Sequence, residues 1–282
     1  MSTEDKDRKE ALGQPLKLPN IDFSHLALPK LAAPLIANIE AWQRAMQPLV
    51  ELGERFRRTM EEATAPLAGH FDRIRREDRM CERLEALGWL PHDTSPFALV
   101  EEDRADQPAL DAAIEAYFSE EWSGIATKLI AGIEGCDIDD EAKASFAEAV
   151  AAHGAGFHRC APHLLFPEIE RVSRKEIHGG ALDKMASQQQ LVQAISRLTP
   201  GEMSSSGVSG LRFYRKLTEH LYQHMKDEAA IAVAAGDPVP NRHAAVHGIV
   251  VYNTAKSSLN SIFVADYLLR AISTIKQYQD ED

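Results

Sequence analysis

Four of the eleven histidines fall into two pairs near the C-terminal end, His220 with His224 and His243 with His247. Residues four apart share one face of a helix, so each pair can present two imidazoles side by side. Helical zinc sites of the H-E-x-x-H type use that spacing, but they need a glutamate after the first histidine. Leu221 and Ala244 occupy those positions here, which argues against a metalloprotease. His158, Cys160 and His163 are ligand types without a ligand-like frame, and no metal or other cofactor is expected.

The second pair differs in its company. Arg242 directly precedes His243 and stands five positions before His247, the spacing R-x4-H. A helix places all three within one and a half turns. Arginine offers a rigid fork of donors that grips phosphate bidentately, and histidine exchanges a proton near neutral pH. Together they can handle a phosphodiester without a metal ion. A solvated surface helix satisfies the same spacing, so these residues alone leave both readings open. Asn241, just before the arginine, suits a helix N-cap.

Bulk properties set the frame. At 282 residues and 44% hydrophobic, the chain can bury one large core or two modest ones. A net charge of -12 argues against broad, non-specific wrapping of nucleic acid, although it permits a small basic pocket. Cys81, Cys136 and Cys160 are odd in number and far apart, as expected of reduced thiols. The first residues, MSTEDKDRKEALGQPLKL, lack a signal peptide's apolar stretch, and no run is long enough to span a bilayer. A cytoplasmic protein without a membrane segment is the expectation.

The elements that must position the histidines read as helices throughout. Residues 1–30, with Pro15, Pro19 and Pro29, form a flexible arm; residues 31–90 carry apolar spacings of three and four, kinked by prolines and closed by Gly88. Pro91, Pro96 and Pro108 mark 91–108 as a linker, and 109–282 as a second, helical domain. Within it helices are expected over 110–121, 123–133, 140–153, 157–174, 182–198 and 211–235, with an exposed loop at 202–210. A final helix follows, its apolar face built from Leu259, Ile262, Phe263, Tyr267, Leu269 and Ile272. GIVVY, residues 248–252, is the one short strand-like run, so the fold class is all-α.

The string PNRHAAVHG followed by VYNTAKSSLNSIFVADYLLRAI resembles the HEPN superfamily, in the branch marked by N-R-H-x-x-x-H-G and a terminal S-L-x-x-x-x-x-x-D-Y-L helix. The match runs through Asn241, Arg242, His243, His247, Gly248, Tyr252, Ser258, Leu259, Asp266, Tyr267 and Leu268. A second block, residues 153–177, is similar to the helix pair that precedes the motif in that branch. The resemblance covers roughly 110–282; the first hundred residues resemble nothing recognised.

The resemblance implies a HEPN-like helical bundle behind an N-terminal helical extension, in a homodimer whose two R-x4-H motifs face each other. It implies a metal-independent endoribonuclease, as in toxins and effectors of anti-phage defence, with RNA as substrate because only RNA supplies the attacking 2′-hydroxyl. Arg242 would hold the scissile phosphate, His247 would act as acid or base, and His243 would assist. Asn241, Tyr252 and Asp266 would support them, Asp266 by orienting a buried arginine or histidine. Glu168, Glu170 and Arg171 could line the same cleft. The N-terminal helices would serve a sensor or inhibitor partner. A non-catalytic dimerising or RNA-binding scaffold is the alternative.

Overall fold

The computed structural model describes residues 72–101, 106–178, 212–213 and 216–279, together with Gln47. The chain divides into two compact units, 1–69 and 70–282, and every described residue except Gln47 belongs to the second. The expected arm at 1–30, the helices over 31–69 with their partner surface, the helix over 182–198 and the loop 202–210 lie outside the described residues.

The second unit is all-α: among the described residues every regular element is helical, and GIVVY forms bends and irregular backbone rather than a strand. Helix α1 covers 72–86, α2 Phe97–Glu101, α3 Gln107–Glu120, α4 Trp122–Glu134, α5 Asp140–Gly154 and α6 Cys160–His178. A single π-helical turn, Leu217–Leu221, precedes α7 (Glu228–Gly236), α8 (Arg242–Val246) and α9 (Ala255–Gln279). None of these helices is long and apolar enough to cross a membrane.

The helix starts are written in short polar side chains. The carboxylates of Asp106, Asp139 and Asp227 accept hydrogen bonds from the amides of Ala109, Ala142 and Ala230, and each such cap is worth about 1 kcal/mol. Gly88 ends α1 in the left-handed region at φ 78°, where the Trp89 amide folds back on the Leu84 carbonyl. A side chain at Gly88 would also collide with Pro238, so the glycine admits a close approach of the 236–240 loop.

Helix α9 is the central element. Ile262, Phe263, Val264, Ala265, Leu268 and Leu269 are all fully buried, so it is enclosed on every side rather than on one apolar face. It packs most extensively on α6 and also on α5 and α4. Its polar residues bond outward to loops. Asn260 donates to the carbonyls of Gly88 and Pro238 at 2.9 and 3.1 Å and accepts from the Leu90 amide at 2.9 Å. Tyr267 donates to the Pro91 carbonyl at 3.0 Å.

Two expectations need correction. Residues 91–108 were expected to link two domains, yet the compact unit begins at His70, and Trp89, Leu90 and Val100 lie in one core with α9. Pro91 and Pro96 lie in the turn before α2, which long-range hydrogen bonds with Tyr267 and Asp266 hold against α9. The helix expected over 211–235 is broken at Tyr222–Asp227, between the π-helical turn and α7. Asn241 takes the carbonyls of His220 and Gln223, and His220 itself bonds to the Val239 carbonyl, so tertiary partners replace the helical ladder.

Candidate functional site

The motif residues sit on a helix of five residues, and its neighbours in sequence explain why it is so short. The Asn241 carboxamide oxygen accepts from the Ala244 amide at 2.8 Å, which starts α8. Gly248, at φ 66°, ends it, with the Ile249 amide returning to the Ala244 carbonyl at 2.9 Å. His247 is the C-cap residue, exposed at the last turn. N-R-H-A-A-V-H-G is thus a cap, one and a half turns and a stop.

Arg242 and His243 open α8 and His247 caps its end. The His243 and His247 rings lie 4.5 Å apart, edge to face. The Arg242 side chain is 21% exposed and forms an ion pair with Glu170 of α6, while its Nε is buried without a partner. Tyr222 is buried beside this pair; burial, then the charge of Glu170, pushes its phenol well above the ordinary value despite Arg242. Sequence reasoning placed Glu170 near the cleft only as an option.

A further residue was missed. His224 belongs to the broken segment, and its ring meets His243 edge to face at 5.3 Å. The His220–His224 pair expected on one helix face is therefore separated: His220 is buried and bonds to Val239, whereas His224 is exposed next to α8. Asp227 marks locally where α7 begins, but nothing local marks where the preceding turn stops. Slight burial, then His247, His224 and Arg242, lower the pKa of His243 below its ordinary value. A neutral His243 near pH 7 follows, which suits a proton acceptor.

The supporting residues have structural partners. Asn241 is fully buried; besides capping α8, its amide nitrogen donates to the carbonyls of His220 and Gln223 at 2.6 and 3.0 Å. Tyr252, 6% exposed, accepts from the Asn241 amide and donates to the Ala234 carbonyl, so its hydroxyl is committed to the backbone.

Asp266 does orient a buried histidine and an arginine, but not those of the motif. It binds His92 Nε2 at 3.2 Å and Arg270 Nε at 2.7 Å. Glu168 and Arg171 also stand apart, joined to Asp139 in an ion-pair network. Hydrogen bonding to Arg171 holds the Asp139 carboxyl far below the usual carboxylate range.

Among the described residues no three His, Cys, Asp or Glu side chains are placed to hold a metal ion, His158, Cys160 and His163 included. Helix α8, its C-cap and the adjoining 222–227 segment together present a guanidinium and three imidazoles, two of them exposed, a set that can neutralise a phosphate and move protons. Comparison of the chain with protein-family models, with curated proteins and with solved structures gives no match.

Proposed function

We propose that the chain is a metal-independent endoribonuclease of the HEPN type, acting as a toxin-like or anti-phage effector. The observation that carries this reading is the grouping of Arg242, His243 and His247 on one capped helix, with the Arg242 fork incompletely bonded. Arg242 holds the non-bridging oxygens of the scissile phosphate. His243, whose pKa is lowered by slight burial and then by its neighbours, takes the proton of the 2′-hydroxyl as that oxygen attacks phosphorus. His247, exposed at the helix end, gives a proton to the departing 5′-oxygen. The products are a 2′,3′-cyclic phosphate and a free 5′-hydroxyl. In the homodimer that the resemblance implies, two such helices face one substrate strand.

One observation favours the scaffold alternative: the Arg242–Glu170 ion pair beside buried Tyr222 resembles a packing device. The two readings part in one experiment. Wild type, Arg242→Ala, His243→Ala and His247→Ala are incubated with mixed cellular RNA in EDTA, and the mass of each protein in solution is measured. Cutting by wild-type dimer alone, with cyclic phosphate ends, supports the nuclease. No cutting, or equal cutting by all four, sinks it in favour of a scaffold.

A further inference from the structure

Away from the Arg242 site, a cavity of about 290 Å³ opens between α3, the start of α4, the end of α5 and the start of α9. Phe118 and Leu259, both nearly fully buried, line its apolar side. Its other walls are rings in sequence: Trp122 lies 4.3 Å from His153, and His153 lies 5.2 Å from His158. The Glu115 carboxylate and the Ser119 hydroxyl stand on exposed positions of α3 and complete the lining. No residue is shared with the Arg242 site.

Two details suggest that the cavity is built rather than incidental. Gly154 lets the indole of Trp122 lie on bare backbone, for a Cβ there would stand 2.5 Å from its Nε1. His158 keeps its buried Nδ1 without a partner, an unmet demand that a protein tolerates at a cost. Burial, with His158 adding to it, pushes the His153 pKa down to about 4, so that ring is neutral at pH 7. Its Nδ1 is already engaged with the Ser258 hydroxyl at 2.9 Å. On the same loop Phe157 is 66% exposed, a further apolar ring facing water.

The lining specifies its ligand by chemistry. Ring walls suit a flat π-system, and an acidic rim suits N–H donors on that system's edge. The volume lies at the bottom of the usual range for small-molecule pockets, about 300 to 1,000 Å³, which is room for one base ring system. We infer that the cavity is a nucleobase-binding site, which stacks one unpaired base against Trp122 and offers Glu115 to its N–H edge. Guanine is the preferred base: its adjacent imino and amino groups match a carboxylate, whereas uracil flanks its single N–H with two carbonyls. Stacking without hydrogen-bonded base pairing is how proteins commonly hold single strands.

The site stands or falls independently of the nuclease reading. Full-length protein is titrated with GMP, UMP, ribose 5-phosphate and a G-containing hexanucleotide that is 2′-O-methylated throughout, following tryptophan fluorescence and calorimetric heat. GMP saturates the signal and binds more tightly than UMP, and ribose 5-phosphate gives none. Gly154→Val and Trp122→Leu each weaken GMP at least about tenfold, the usual worth of one base stack. Glu115→Gln, on an exposed position, reduces the preference for guanine without touching the core. A hexanucleotide at least tenfold tighter than GMP assigns the base to an RNA strand, and equal affinities assign it to a free nucleotide. Absence of saturable GMP binding, or undiminished binding in both Gly154→Val and Trp122→Leu, overturns the inference. A wild type that binds GMP yet cuts no RNA leaves this site in place and removes the nuclease reading.

Discussion

Asn241 donates a hydrogen bond from its side-chain nitrogen to the Gln223 carbonyl at 3.0 Å, so the residue that starts the Arg242 helix also fixes the segment carrying His224. One buried carboxamide thereby sets the distance between the two histidine-bearing pieces of the site. It fills both roles because its oxygen caps and its nitrogen donates, a division only Asn or Gln can make.

Asn241→Ala removes the cap and the two side-chain hydrogen bonds to the His220 and Gln223 carbonyls, and roughly 2–4 kcal/mol of stability should be lost. Asn241→Asp keeps the cap acceptor but cannot donate to His220 and Gln223, and is expected to fall between. Urea denaturation followed by circular dichroism measures both; a loss below about 1 kcal/mol for the alanine variant would contradict this account of the site.

His243 should titrate below its ordinary range, because slight burial and the neighbouring His247, His224 and Arg242 all disfavour its cationic form. A base works only when neutral, so the acidic limb of the pH profile of kcat/KM should track this group. His224→Gln removes one of the neighbours that disfavour charge on His243 and should move that limb to higher pH. Histidine ring resonances followed by NMR through the same titration provide a check that needs no activity. A limb that stays put, or moves to lower pH, excludes His224 from this role.

Glu170→Gln separates holding from chemistry. The carboxylate competes with phosphate for the Arg242 guanidinium, so its loss should tighten binding of uncleavable RNA by roughly two- to fivefold, the scale of a part-exposed ion pair. Turnover should fall at the same time, because Arg242 loses the partner that fixes its fork. Binding isotherms and single-turnover rates report the two effects separately, and weaker binding by this variant would reverse the assignment.

His92 makes stability depend on pH in a direction opposite to the other buried histidines. Its burial disfavours charge, but hydrogen bonds and charge from Asp266 and Asp93 outweigh that and raise its pKa. The raised folded pKa means the stabilisation is complete below the unfolded value of about 6.5 and is lost as pH rises through the folded value. His153, His220 and His243 are lowered and act in the other sense, so the wild-type curve must be compared with His92→Gln. The difference in Tm between the two should shrink from pH 6 to alkaline pH; a constant difference would show that His92 contributes packing alone.

Much of this architecture was legible where the signal is local. Asn241 before and Gly248 after the motif announce a short helix, Gly88 announces the end of α1, and the apolar spacing of α9 announces its burial. What escaped was set by partners far along the chain. The 91–108 segment reads as a linker because its prolines are local, whereas its bonds to Asp266 and Tyr267 span some 175 positions. The break at 222–227 was hidden for the same reason: apolar spacing continues through it, and the competing acceptors belong to Asn241 and Val239. His224 entered the site only through that break. Asp266 reads as a residue that orients a buried arginine or histidine, but its partners, Arg270 and His92, are not those of the motif, and His92 lies in the segment whose prolines suggest a linker.

The seal between the 87–92 loop and α9 also fixes when the core can close during synthesis. Leu87, Leu90, Pro91 and His92 all bond to residues of α9, so the core stays open until that helix leaves the ribosome. Contacts of such long range close late and slowly. The Arg242 helix, emitted a few residues before α9, must wait beside an unfinished core. A nascent chain therefore exposes the Asn241–Gly248 segment before the core that α9 completes has closed around it.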